Sequence, residues 1–349
     1  MIFNALFLLF VFAFTFYGLF KDQELPELMG SLHLANGWYL LLGVGLVIVF
    51  VCSESVIIHY MMKALGDKVP FLNCVKYSFI GFFFSCITPS ASGGQPAQIY
   101  YMKKDNIDIP VSTLVLMIVT IGYKLVLVVM GVFLFLFQRN LLHQYMNPMT
   151  NFFLYLGIFL NVIGIGGLLL LVFRPSLVKR ILCWCQKLII KLHILKKESH
   201  SFMKSIDKYH ETAEFFKSHL KVMLNVFYLS VFQRVCLFYV TYLVYRSFGL
   251  HGTSAYTIVM LQAVIALSVD MLPLPGGMGA SENLFLAIFL PIFGQALILP
   301  SMLLSRGISY YTLLLISALV TVYAHLMVIY RKDRESRKEV GISPSLEKE

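Results

Sequence analysis

Six ionisable residues sit inside otherwise apolar stretches of this chain: Glu54, Lys124, Arg234, Asp270, Glu282 and Arg306. A charge in the middle of a hydrocarbon layer costs roughly 2.5–3.5 kcal/mol on insertion scales, so six together imply pairing or a polar cavity. They are three acids and three bases, which permits complete neutralisation. Helix-to-helix pairing is the plainer alternative to a binding site, and it carries more weight for Glu54 and Arg234 than for the others. For Asp270, Glu282 and Arg306 a binding site is the stronger reading, because they flank or follow a Pro/Gly-rich break. Lys124 and Arg306 lie on the spans after each of two such breaks, where both can aim a cation at a common cavity. A site with both signs suits a zwitterionic headgroup, with phosphate toward the cations and ammonium toward Asp270 and Glu282.

The breaks are Thr88-Pro89-Ser90-Ala91-Ser92-Gly93-Gly94-Gln95-Pro96 and Pro273-Leu274-Pro275-Gly276-Gly277-Met278-Gly279-Ala280-Ser281-Glu282. Helices do not continue through Pro and Gly at this density. Backbone groups freed inside a bilayer must find protein or water, so broken helices at that depth line cavities. Two breaks in corresponding halves of a chain are the best sequence pointer to a transporter's binding site. The second limbs, from Gln95-Pro96 and from Gly279-Ala280-Ser281, present helix N-termini that favour anions. Gly93, Gly94, Gln95, Gly276, Gly277 and Gly279 therefore join the six charges, with Tyr310, as candidate substrate-binding residues.

These elements belong to a membrane protein. Of 349 residues 58% are hydrophobic and only 13% charged, against about 25% in soluble domains. The net charge of +10 falls in blocks beside apolar spans, which argues against a nucleic-acid partner. The six cysteines give no disulfide framework, and the lone Cys183-x-Cys185 is too little for zinc. No phosphate-binding loop, catalytic triad or carboxylate cluster is present, so no catalytic residue, metal or cofactor is expected. Spans of about 20 residues are expected near 2–20, 38–60, 111–137, 151–173, 222–246 and 298–330. The segments near 71–102 and 255–293 each carry a break.

Basic residues set the orientation. The linker 174–221 holds eleven Lys/Arg and the tail 331–349 six, which places both, and both termini, in the cytosol. Lys63, Lys68, Lys103 and Lys104 put both ends of the first broken segment on the cytosolic side. The second broken segment then enters and leaves from outside. The fold class is all-α and polytopic: about six spans and two re-entrant hairpins in an inverted repeat, 38–137 against 222–330. The letters agree weakly, Thr88…Gly93-Gly94-Gln95 against Leu274…Gly276-Gly277-Met278, and Ile121-Gly122-Tyr123-Lys124 against Ile308-Ser309-Tyr310-Tyr311. Amphipathic helices are expected at 177–192 and at 202–220, the latter with Phe202, Ile206, Tyr209, Ala213 and Phe216 on one face. A basic tether explains the linker; contact with anionic inner-leaflet lipids is the sharper alternative.

The order of spans, the pattern Thr88-Pro89-x5-Gln95-Pro96, and Pro275-Gly276-Gly277-x-Gly279-x2-Glu282 resemble the membrane region of lysylphosphatidylglycerol synthase/flippases, over roughly 1–330. Arg306 with Tyr310-Tyr311 also fits. The resemblance implies a lipid flippase of a bacterial cytoplasmic membrane, tied to lipid metabolism and antibiotic resistance. It would translocate aminoacylated phosphatidylglycerol or a related polar lipid. In that family a separate soluble domain makes the aminoacyl lipid. Because this chain ends at Glu349 after a short charged tail, the expectation is the flippase half and no transferase activity. A separate synthase, or a second copy in a homodimer, is the protein partner left open. The alternatives are a membrane-embedded lipid-modifying transferase, marked by an acid beside a nucleophile in the cavity, and an ion-coupled transporter of a small solute.

Overall fold

The computed structural model describes residues 32–174 and 200–339, with positions 30, 176, 178, 180 and 184. The expected span at 2–20, Cys183 with Cys185, most of the helix at 177–192 and the end of the tail lie outside the described residues. Among those described, every regular element is helical: α1 Gly37–Ala64, α2 Phe71–Ile87, α3 Gly94–Lys104, α4 Ile109–Phe137, α5 Arg139–Tyr145, α6 Pro148–Phe173, α7 His200–Ser218, α8 Leu220–Ser247, α9 Ala255–Val269, α10 Ala280–Arg306 and α11 Leu313–Glu339. Local chemistry sets several starts. Asn36 Oδ1 accepts from the Trp38 N–H at 3.0 Å. Asn147 and Thr150 form a reciprocal capping box with Pro148 at the first helical position, and Ser254 caps Thr257 at 3.1 Å.

Helices α1, α4, α6 and α8, and the apolar stretch Pro275–Val328, are long and apolar enough to cross a membrane; α2 and α9 are apolar but short. The protein is a multi-pass membrane protein. The four expected spans from 38–60 to 222–246 are each found within a few residues. The expected span at 298–330 is built differently. Helix α10 runs on past the second hairpin, breaks at Gly294 (φ 72°) between Pro291 and Pro300, and reaches α11 through a π-helical turn, Gly307–Thr312. Gly294 takes a positive φ without the penalty a Cβ brings, and Pro291 and Pro300 each remove an N–H from the helical ladder on either side of it.

Both broken segments are helical hairpins. Limbs α2 and α3 pack on each other, as do α9 and α10. The base of the first hairpin shares one core with the ends of α1 and α6 and with α7, through Met62, Cys74, Met102, Val172 and Phe216. The second hairpin's limbs pack in a separate core with Leu142, Met146 and Tyr245. The two hairpins thus rise from different cores, and their tips touch: Ser90 Oγ donates to the Leu272 carbonyl at 3.1 Å. A third core, with Phe50, Phe79, Met278 and Ile308, packs beside the tips.

Helix α7 departs from its expected setting. Its apolar face of Ile206, Tyr209, Ala213 and Phe216 is buried against the protein, and Tyr209 OH donates to the Leu171 carbonyl at 3.1 Å. Its amphipathic pattern therefore reports protein packing rather than a bilayer surface; burial of four such side chains is the stronger sink for apolar area.

Candidate functional site

The tips are the same turn built from different residues. In the first, Thr88-Pro89-Ser90-Ala91, Ser90 has φ 50° and ψ 29°. In the second, Leu274-Pro275-Gly276-Gly277, Gly276 has φ 57° and ψ 16°. The next residues, Ala91 and Gly277, have φ 54° and 66°. Ala91 N donates to Thr88 O and Gly277 N to Leu274 O, at 3.2 and 3.1 Å. The structural correspondence is Pro89 with Pro275, whereas the letters had set Gly93-Gly94 against Gly276-Gly277. Gly93 and Gly94 serve close packing instead: a Cβ at Gly94 would stand 2.1 Å from Ser85 Oγ and 2.7 Å from the Gly81 carbonyl. Gly276 admits no side chain either, because its Cβ would lie 2.1 Å from the Tyr310 ring.

Two of the three possible ion pairs form. Arg306 Nε donates to Glu282 Oε1 at 2.7 Å, and Arg306 Nη2 to the Gly276 carbonyl at 3.0 Å. Glu282 Oε2 accepts from the Gly279 N–H at 2.7 Å and from Ser281 Oγ at 2.9 Å. Glu282 is 3% exposed. Gly279 takes φ 82°, which glycine adopts without strain, and so turns its N–H back onto that carboxylate. The Arg306 guanidinium also lies 4.7 Å from the Tyr310 ring centre, and Tyr310 OH donates to the Cys86 carbonyl at 2.9 Å. This network ties the second tip to the π turn and to α2. The second pair joins Lys124 to Asp270, with Asn161 Oδ1 3.4 Å from the ammonium.

Glu54 and Arg234 remain. Neither makes an ion pair among the described residues. Glu54 Oε1 accepts from Gln98 Nε2 at 2.9 Å. Arg234 lies near the middle of α8, its Nε buried without a hydrogen-bond partner. Its guanidinium lies against aromatic rings, 4.4 Å from the centre of Tyr123 and 5.5 Å from that of Phe50. Cation–π contact of this kind is worth about 0.5–2 kcal/mol and leaves that Nε–H unsatisfied. The charges nearest the second break are thus paired, whereas Glu54 and Arg234, for which helix-to-helix pairing carries the most weight on sequence grounds, make no ion pair among the described residues.

Two cavities flank the touching tips. One, of about 240 Å³, is lined by Arg234, Arg306, Asp270, Thr241, Gln262, Ser281 and Ser309 beside apolar Phe50, Leu237, Ile265 and Leu313. The other, of about 200 Å³, is lined by Glu54, Gln95, Gln98, Thr120, Tyr123, Arg234 and Asp270. Phe82, Ser85, Ala91, Arg234 and Asp270 border both. Gln95 is held by a hydrogen bond to Thr120 Oγ1.

The model of the lysylphosphatidylglycerol synthase TM region matches residues 1–317. The chain belongs to this family. No curated protein matches it. For this family member, Glu54, Gln95, Arg234, Asp270, Gly276, Gly277 and Arg306 of the candidate residues border a cavity; Gly93, Gly94, Lys124, Gly279 and Glu282 stand behind that lining and shape it. Tyr310 lines the larger cavity as well.

Sequence reasoning passed over Gln98, Gln262, Thr241 and Tyr123. Gln98 was findable: it is an amide on the second limb of the first hairpin, three residues after Gln95. It also passed over Asp105, which takes Lys76 Nζ and Tyr77 OH at 2.5 Å each and fastens the hairpin's base. No metal-holding group of His, Cys, Asp and Glu occurs among the described residues.

Proposed function

We propose that this protein is a flippase for a polar phospholipid, with lysylphosphatidylglycerol-like aminoacyl lipid as its substrate, in a bacterial cytoplasmic membrane. The observation that carries the proposal is the meeting of two broken hairpins beside cavities whose lining includes a cation, Arg234, and a carboxylate, Glu54, that make no ion pair among the described residues. The hairpins act as halves of an inverted repeat, entering from opposite leaflets, and the headgroup passes at their tips while acyl chains stay in the bilayer. The mixed lining, polar groups together with Phe50, Leu237 and Leu313, suits an amphipath better than a small hydrated solute.

One observation favours a transferase: Ser281 Oγ, in the larger cavity, donates to a carboxylate. Both oxygens of that carboxylate, on Glu282, are already engaged by Arg306 and the Gly279 N–H, which supports a structural role instead. One preparation tests both readings. Proteoliposomes carrying fluorescent lysylphosphatidylglycerol are exposed to a membrane-impermeant quencher, and a parallel sample receives phosphatidylglycerol with lysyl-tRNA. Faster loss of the protected fluorescence than in empty vesicles, with no new lysyl lipid, is the expected outcome. Synthesis without translocation would replace the flippase by the transferase.

A further inference from the structure

The charges of the two cavities differ, and the difference assigns an orientation to the headgroup. In the larger cavity two guanidiniums, Arg234 and Arg306, face a single carboxylate, Asp270, which Lys124 already neutralises from behind. In the smaller, Glu54 and Asp270 face Arg234 alone. Because Asp270 and Arg306 each have an ion-pair partner, the charges without one among the described residues are Arg234, bordering both cavities, and Glu54, bordering only the smaller, where the two attract each other from beyond ion-pair distance. A half-buried guanidinium whose buried Nε has no hydrogen-bond partner among the described residues calls for an anion that brings several acceptors, and a phosphate does so. A carboxylate whose hydrogen bond comes from a neutral amide, Gln98, with no cation in ion-pair contact among the described residues, calls for a cation.

We propose that the two cavities are subsites for one dipolar headgroup. The phosphate lies against Arg234 on the side of Arg306, and the amine of the aminoacyl group reaches past Ala91 and Ser85 to Glu54. Glu54 is then the residue that separates amine-bearing phospholipids from phosphatidylglycerol, and Arg234 grips the phosphate common to both. This rests on the lipid-substrate reading above but not on translocation.

Binding is therefore the readout. Native mass spectrometry of the detergent-solubilised full chain measures the Kd ratio of phosphatidylglycerol to lysylphosphatidylglycerol. Wild type should favour the lysyl lipid by about tenfold, the size expected when one charge-assisted hydrogen bond is added. Glu54→Gln should bring the ratio near one while leaving phosphatidylglycerol binding intact; Arg234→Gln should weaken both lipids alike. If Glu54→Gln does not fold, Gln95→Glu, which adds a carboxylate to the smaller cavity, should raise the ratio instead. Water-soluble phosphoethanolamine, tested as a competitor, separates a lipid site from a free phosphoamine site: failure to compete identifies the lipid, and full competition at equal concentration overturns it. A ratio unchanged by Glu54→Gln, or equal loss of both lipids with that variant, would overturn the subsite assignment. Selective binding without translocation would leave it standing and remove the flippase.

Discussion

At the residue scale, a paired and an unpaired arginine make opposite predictions. Arg306 holds Glu282 and the Gly276 carbonyl in a closed network. Removing one member of a buried pair leaves the other charge stranded, at a cost of about 3–5 kcal/mol. Arg306→Ala should therefore lower the thermal midpoint in detergent sharply. Arg234 has no such partner among the described residues, so Arg234→Met should leave that midpoint unchanged or raise it while cutting translocation at least tenfold. A midpoint that falls as far as that of Arg306→Ala would make Arg234 structural. The six charges themselves were legible in the sequence, because each interrupts an apolar run. Which pairs would form was not. Lys124 and Asp270 lie 146 positions apart, and Arg306 reaches Glu282, at the other end of the same helix, only because α10 turns back at its Gly294 break, so pairing is a property of the tertiary path.

At the element scale, the two tips share a backbone but not its ease. Left-handed conformation costs a non-glycine residue about 1–2 kcal/mol, and the first tip places Ser90 and Ala91 there while the second uses Gly276 and Gly277. Ala91→Gly should remove that strain at the expense of about 0.5–1 kcal/mol of backbone entropy, for a net gain of about 0.5–1 kcal/mol. Gly276→Ala should do the reverse and by more, since its Cβ meets the Tyr310 ring. Paired melting curves of the two variants check both signs; stabilisation by Gly276→Ala would contradict the turn geometry. Pro89 and Pro275 announced both breaks in the sequence. The π turn at Gly307–Thr312 was not legible, since a one-residue change in helical pitch leaves hydrophobic periodicity almost intact. Nor was the seat of α7, because amphipathicity shows that a face is buried and not what buries it.

At the scale of the whole molecule, the two hairpins should open toward opposite leaflets. The first packs at its base with α7 and the end of α6, near the basic linker. Cysteines introduced at Lys68, Lys104 and Lys217 should thus react with an impermeant maleimide from one side, and a cysteine at Ser254 from the other. Reaction of Lys104→Cys and Ser254→Cys from the same side would abolish the inverted arrangement. The central claim is that lipid headgroups pass where the tips meet. Ser90→Cys with Leu272→Cys places a thiol on each tip, and oxidation should join them. Quencher-based translocation is then followed in proteoliposomes before oxidation, after it, and after a reductant. The account predicts that the joined protein translocates no faster than empty vesicles and that the reductant restores the rate. Full-speed translocation by protein whose tips are verified as joined would contradict it.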